Sequence, residues 1–258
     1  MLTDRKDMNG SGAIIREIAV DYASGSYASN YMYDLPQQIR VYGAGGANGG
    51  ALTAETNYSY DSTSVSGYSG FKNVAVSGLT THDDTQTLRG NGTQISQMTG
   101  SQLLTTQTIF YNILGEVIQA NDAKGNATYY DYTDNFASNA SCVPAASFAY
   151  PTAIRNALAQ NTVNRYNACD GSMASTQDQN DLSSGRAGTV YSFDSMQRPT
   201  VVAYPDGGQT TTNYGGSSVP EVITTTKAAS PSPSQISAVQ LDVLGRTGSE
   251  TLANGPKC

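Results

Sequence analysis

Tyr191-Ser-Phe-Asp-Ser-Met-Gln-Arg-Pro-Thr-Val-Val-Ala-Tyr-Pro-Asp-Gly-Gly-Gln-Thr-Thr-Thr-Asn-Tyr214 reads as strand, tight turn, strand. Val201 and Ala203 alternate with Thr200, Val202 and Tyr204, a period of two. In Pro205-Asp206-Gly207-Gly208, proline sets φ for the second turn position, aspartate tolerates the third, and glycine closes the turn with φ > 0. Gln209 to Tyr214 is threonine-rich, which favours a pleated, half-exposed surface over a helix. A lone hairpin is marginal in water, so this one requires neighbours of its own kind.

The chain contains them. Placing Gly207 on Gly125 aligns Phe193 with Tyr111, Asp194 with Asn112, Gln197 with Gly115, Arg198 with Glu116 and Tyr214 with Tyr132, without a gap. A weaker copy puts Leu241-Asp242 on Phe193-Asp194, Gly245-Arg246 on Gln197-Arg198 and Gly255 on Gly207. An aromatic-Asp pair, then Gly-Arg, a turn glycine, and Thr and Tyr recur in register, which is the signature of a repeat architecture.

These residues carry a family resemblance. The pattern is similar to the YD repeat of RHS proteins, the family of bacterial RHS toxins, toxin-complex C components and teneurins. Asn156-Ala-Leu-Ala-Gln160 with Tyr166-Asn167 and Thr176-Gln-Asp-Gln-Asn180 resembles one variant of that unit, and Arg89-Gly-Asn-Gly-Thr93 another. Tyr58-Ser-Tyr-Asp61 is a bare copy of the dipeptide. The resemblance runs from about Tyr58 to Gly255 and is densest from Ile109 to Tyr214. Asn112, Glu116 and Gln197 stand where the family's pattern has Asp, Arg and Gly.

Composition fits thin stacked layers better than a two-layer enzyme core. Apolar residues are 38% and charged residues 14% of 258, so long buried runs are scarce and tyrosine, at 17, is the main apolar mass. A formal charge of −7 argues against nucleic acid and anionic membranes as partners. No signal core or membrane-length apolar run is visible, so a secreted repeat protein of this kind is expected to be a piece of something longer.

Residues 1–50 read as a polar N-terminal segment with possible strands, at 13–22 and as a pair within 31–42, followed by a flexible glycine loop at 43–50. Residues 51–258 read as the repeat region, with strands at 55–61 and 71–78 and another strand pair within 94–108. It carries an insertion near 136–152 and a Ser/Thr/Pro-rich loop near 217–234. No amphipathic helix stands out.

Candidates for chemistry are few. His82, the single histidine, precedes Asp83 and Asp84, but no Gly-x-Ser-x-Gly elbow accompanies it and a turn role is the simpler reading. One histidine also excludes a multi-histidine metal site. Asp178, Asp181 and Asp206 sit in turn-like stretches that admit a calcium ion, though no EF-hand or nonapeptide repeat is present. Nothing separates Glu55, Glu116 or Glu221 from surface charges. Tyr129, Tyr130, Tyr132, Tyr191, Tyr204 and Tyr214 form either a sugar-stacking stripe or, as is commoner for repeated tyrosines, inter-layer packing. Cys142 and Cys169 are a candidate disulfide in an oxidising compartment, or two buried thiols; Cys258 is expected to be free. Arg198 and Arg246 are expected to bond Asp194 and Asp242 or nearby carbonyls and so to fix strand register.

The expected fold is all-β: tandem strand–turn–strand repeats in a continuous curved, spiralling sheet, a partial shell. The resemblance implies a non-catalytic shell segment, secreted or at the cell surface, that encloses or presents a polypeptide such as a toxin. Its partners would be the remainder of a larger polypeptide or copies of itself, with no cofactor, metal, nucleic acid or membrane insertion. The alternatives are a structural or adhesive protein that forms filaments through open sheet ends, and a carbohydrate-binding module that uses exposed tyrosines.

Overall fold

The computed structural model describes residues 3–62, 88–112, 114–137, 141–144, 147–215, 221–228 and 235–253. The chain is all-β, and it divides into two compact units, Met1–Tyr130 and Asp131–Cys258. His82, Asp83 and Asp84, the expected strand at 71–78, Gly255 and Cys258 lie outside the described residues.

In the first unit β1 (Asp4–Met8), β2 (Ile14–Tyr22), β3 (Pro36–Tyr42), β4 (Leu52–Tyr60), β5 (Gly92–Thr99), β6 (Gln102–Tyr111), β7 (Val117–Asp122) and β8 (Ala127–Asp131) each pair antiparallel with the next. The ladder runs through residue 50 without a break, because β3 and β4 are partners. In the second unit β9 (Phe136–Ala137) and β10 (Ala153–Arg155) both lie along β11 (Asn161–Asn167), β9 parallel and β10 antiparallel. From β11 the antiparallel order continues through β12 (Met173–Gln177), β13 (Thr189–Phe193), β14 (Pro199–Ala203), β15 (Gln209–Asn213), β16 (Val222–Ala228), β17 (Gln235–Leu241) and β18 (Thr247–Ala253).

Several expectations need correction. The stretch 31–42 is not a strand pair; only β3 forms, and the residues before it hold a single helical turn, α1 (Ser26–Ser29). The region 217–234 is not all loop. Val222–Ala228 is strand β16, whose β-branched Val, Ile and Thr residues pair on both sides despite their polarity. A second short helix, α2 (Gln179–Ser184), follows β12, with Asp178 and Asp181 forming a reciprocal capping box and Gly185 ending it in the left-handed region.

The glycine stretch 43–50 is anchored rather than loose. It contains a 3-10 turn, Gly46–Asn48, held against β2 by the buried Glu17 carboxylate, which accepts from the Ala47 amide at 2.9 Å. Gly46 has φ 62, and a Cβ there would stand 2.2 Å from Glu17 Oε2.

Burial is sparse and mostly polar. Among the described residues the buried apolar side chains are Ala23 and Phe110 in the first unit and Phe148 and Tyr166 in the second. Glu17, Thr93 and Asn112, and Thr152, Asn164 and Asp181, are buried beside them. Thr93, 1% exposed, donates to the Ser59 carbonyl and accepts the Ser62 amide. Each unit therefore coheres through its ladder and satisfied polar groups rather than through a thick apolar core.

Gly46→Ala is expected to destabilise the chain by about 1–3 kcal/mol, through positive φ and the Glu17 clash. Gly10→Ala, where a Cβ meets nothing within 4 Å, should stay within roughly 0.5 kcal/mol of wild type. Urea denaturation of both variants checks this.

Candidate functional site: the asparagine and aspartate turns

The repeat positions converge on one hairpin. In each copy an aromatic or apolar residue ends a strand at a register shift and an Asn or Asp follows it: Tyr111-Asn112, Phe193-Asp194, Leu241-Asp242. The backbone then makes a five-residue loop. The amide of the first residue donates to the carbonyl of the fifth, and the amide of the fourth donates back to the first, at 2.8–3.0 Å in 112–116, 194–198 and 242–246. The fourth residue is left-handed, with φ 85 at Gly115, 63 at Gln197 and 76 at Gly245. This is a turn closed by a glycine-type bulge, which suits the twist of an antiparallel pair.

The Asn or Asp side chain completes the loop. Asp194 Oδ1 accepts the amides of Met196 and Arg198 at 2.9 and 3.0 Å, and Oδ2 accepts Arg198 Nε at 2.7 Å. Asp242 repeats this with Leu244, Arg246 and the Arg246 Nε. The same backbone and side-chain pattern recurs at 9–13, 122–126 and 156–160, joining β1 to β2, β7 to β8 and β10 to β11. Gly207 (φ 86) and Gly125 (φ 83) occupy equivalent places, although Tyr204 rather than an acid opens the 204–208 loop.

The departures from the family pattern are chemically matched. Where Asp194 accepts from Arg198, Asn112 donates its Nδ2 to Glu116 Oε2 at 2.6 Å. Asn156 donates to Gln160, and Asn126 donates to Asp122, both at 2.8 Å. In the loops at 112–116, 122–126, 156–160, 194–198 and 242–246 the first and fifth side chains are matched so that one donates and the other accepts.

A second device recurs beside the turns. Tyr60 and Tyr111, ending β4 and β6, donate their hydroxyls to the carbonyls of Pro36 and Gly92, at the start of the preceding strand, at 2.8 and 2.9 Å. Tyr214, just after β15, does the same to Pro199 at 3.0 Å, and Tyr166 within β11 donates to Pro151, ahead of β10, at 3.2 Å. Burial pushes the Tyr111 and Tyr166 phenols up and carries Tyr60 to about 12, so these groups stay protonated donors. Arg198 joins the two devices: its guanidinium carbon lies 4.3 Å from the Tyr214 ring centroid while Nε holds Asp194 and Nη1 lies 3.5 Å from Glu221.

The bare Tyr60-Asp61 and the Arg89–Thr93 variant prove to be two halves of one closure. Asp61, at φ 47, accepts the amides of Arg89, Gly90 and Asn91 at 2.8, 2.7 and 3.1 Å.

The other candidate residues are placed as follows. Asp178, Asp181 and Asp206 line one groove of about 390 Å³, but Arg186 Nη2 stands 2.7 Å from Asp181 and Asp178 caps α2. Among the described residues no group of three or more His, Cys, Asp or Glu is arranged to hold a metal ion. Glu55 accepts the Gln38 and Asn57 amides. Tyr129 and Tyr204 are exposed, while Tyr130, Tyr132 and Tyr191 are half-buried. Cys142 and Cys169 form a disulfide that ties the connection after β9 to the turn after β11. No described helix is long and apolar enough to cross a membrane.

Asn112→Asp is expected to set two carboxylates against each other and cost roughly 1–3 kcal/mol; adding Glu116→Arg should recover most of it. Ala159 has φ 60, so Ala159→Gly should stabilise by about 0.5–1 kcal/mol. Backbone amides at Arg198 and the Arg246 side chain lead the causes that hold the Asp194 and Asp242 carboxyls low. With folded values below the ordinary one, their stabilisation is complete above pH ~4 and is lost as pH falls through the folded values. Melting curves recorded from pH 6 downward should show this loss, and it should shrink in a chain carrying Asp194→Asn and Asp242→Asn.

No family model matches the chain, and no curated protein does. Among solved structures it is similar to the crystal structures of TcdB2-TccC3-Cdc42 and TcdB2-TccC3 and to a Tc holotoxin pore of Photorhabdus luminescens. The TM-score is 0.38 for each, with identities of 10, 11 and 9%. The matches cover 97, 96 and 96% of this chain but 12, 12 and 15% of those chains.

Proposed function

We propose that this chain is a non-catalytic wall segment of an RHS-type, YD-repeat shell that encloses or presents a polypeptide such as a toxin, outside the cell that makes it. The observation that carries the reading is where the repeat's polar groups go. The side chains of Asp194, Arg198, Asp242 and Arg246 bond backbone of their own loop or each other. Tyrosine hydroxyls likewise go to strand carbonyls. Residues used in this way build a surface of defined register and leave the chemistry to whatever the wall surrounds. The open ladder ends are where a longer polypeptide would continue. β1, at one end, carries Asp4, Arg5, Lys6 and Asp7, a charge pattern that discourages pairing between unrelated edges.

The test uses the longer polypeptide in which this segment resides. Protease treatment of the native particle should leave the sequence downstream of the wall intact, and negative-stain images should show closed hollow particles. Fibres in place of particles would favour the filament alternative. A downstream segment digested as fast as in the denatured chain would overturn enclosure.

A further inference from the structure

The loop that joins β1 to β2 differs from its sister loops in what it leaves free. Its first residue is Asn9 and its second is Gly10. Asn9 Oδ1 accepts the Ser11 amide at 3.0 Å, the Ser11 hydroxyl at 2.8 Å and the Ala13 amide at 2.9 Å. In the loops opened by Asn112 and Asn156 the same oxygen accepts two amides, and Nδ2 is tied to Glu116 or Gln160. Here the fifth residue is Ala13, whose side chain offers no acceptor. Among the described residues neither Asn9 Nδ2 nor the Gly10 amide has a hydrogen-bond partner, and the loop is exposed throughout.

Together these features favour one reaction, attack on the Asn9 side-chain amide by the next backbone nitrogen. The negative charge of the addition step falls on Oδ1, where three donors already point. Nδ2 is the leaving group, and no bond holds it. Gly10 has no Cβ, and one built there would meet nothing within 4 Å, so its nitrogen has room to swing toward Cγ. The other Asn-Gly pairs lack this set. The Gly49 amide, after Asn48, donates to the Gly46 carbonyl at 3.3 Å. Asn91 Nδ2 is buried, and Gly92 opens β5. Asn254-Gly255 lies outside the described residues.

We propose that Asn9-Gly10 is a site of self-modification, at which Asn9 is converted to aspartate or isoaspartate. The inference does not rest on the shell reading. The Gly10 nitrogen gives its proton to hydroxide and bonds to Asn9 Cγ. The Cγ–Nδ2 bond then breaks, and Nδ2 takes a proton from water and leaves as ammonia. Water opens the resulting cyclic imide at Cγ to give aspartate, or at the main-chain carbonyl to give isoaspartate. Aspartate keeps the loop, since Asp122, Asp194 and Asp242 play the same part in theirs. Isoaspartate adds a methylene to the backbone and shifts the acceptor oxygens, which opens the hairpin through which β1 pairs with β2.

Peptide mapping of the folded chain during incubation in mildly alkaline buffer tests this. Asn9 should be lost at least about tenfold faster than Asn48 and Asn91, with isoaspartate among the products, whereas in urea the three should react at similar rates. Gly10→Ala should slow the loss about tenfold or more with an unchanged melting curve. Ser11→Ala should slow it about threefold or more in the folded chain and leave the rate in urea unchanged. As the wild-type chain converts, the β1 amides should exchange faster with solvent, while in Asn9→Asp they should stay protected. An Asn9 that outlasts Asn48 or Asn91 in the folded chain, or a Ser11→Ala variant that reacts at the wild-type rate, would each overturn the assignment.

Discussion

An asparagine or aspartate oxygen that accepts two amides of its own loop is the contact on which the rest depends. In a two-layer protein a one-residue slip of a strand would turn its apolar side out, and the core itself would forbid it. Here the described buried apolar set is Ala23, Phe110, Phe148 and Tyr166, too small to police so many strands. Register must be set locally, at each hairpin. The Asp194 loop does so by fixing the carboxylate, the left-handed Gln197 and the Arg198 amide in one geometry, after which β13 and β14 can pair in one way.

The tyrosines solve the complementary problem. A strand that begins beside a bulge leaves a carbonyl without a ladder partner, and an unpaired carbonyl in a half-buried place is costly. Tyr60, Tyr111 and Tyr214 reach that group on the adjacent strand. Their rings cover sheet surface on the way, so one residue type supplies both apolar area and a polar cap. Arg198 couples cap to turn by lying on Tyr214 while bonding Asp194. Conserving this geometry does not require one set of letters. Asn112 with Glu116 reverses the donor and acceptor of Asp194 with Arg198 and keeps the loop.

The turns were legible because their chemistry is local. Gly125 and Gly207 stand out because left-handed φ favours glycine, and Asp194 and Asp242 because side-chain-to-backbone bonding needs a short acceptor at a fixed spacing. The strands between were readable by alternation, but β16 was hidden in a threonine-rich stretch whose polarity resembles a linker. What the sequence concealed depends on distant pairing. Nothing near Glu17 announces that it will clamp Ala47, and nothing near Tyr60 announces Pro36. The meeting of Tyr27 with Tyr60 depends on α1, a single turn too short to leave a periodic signal.

Amide hydrogen exchange in Asp194→Ala tests the central claim most directly. If the loop sets register, protection falls along the whole β13–β14 pair, from Thr189–Phe193 to Pro199–Ala203, while β10 and β11 keep theirs. Loss confined to the Met196 and Arg198 amides, with the strand pair fully protected, would show that the sheet holds its register without the turn and would contradict the account.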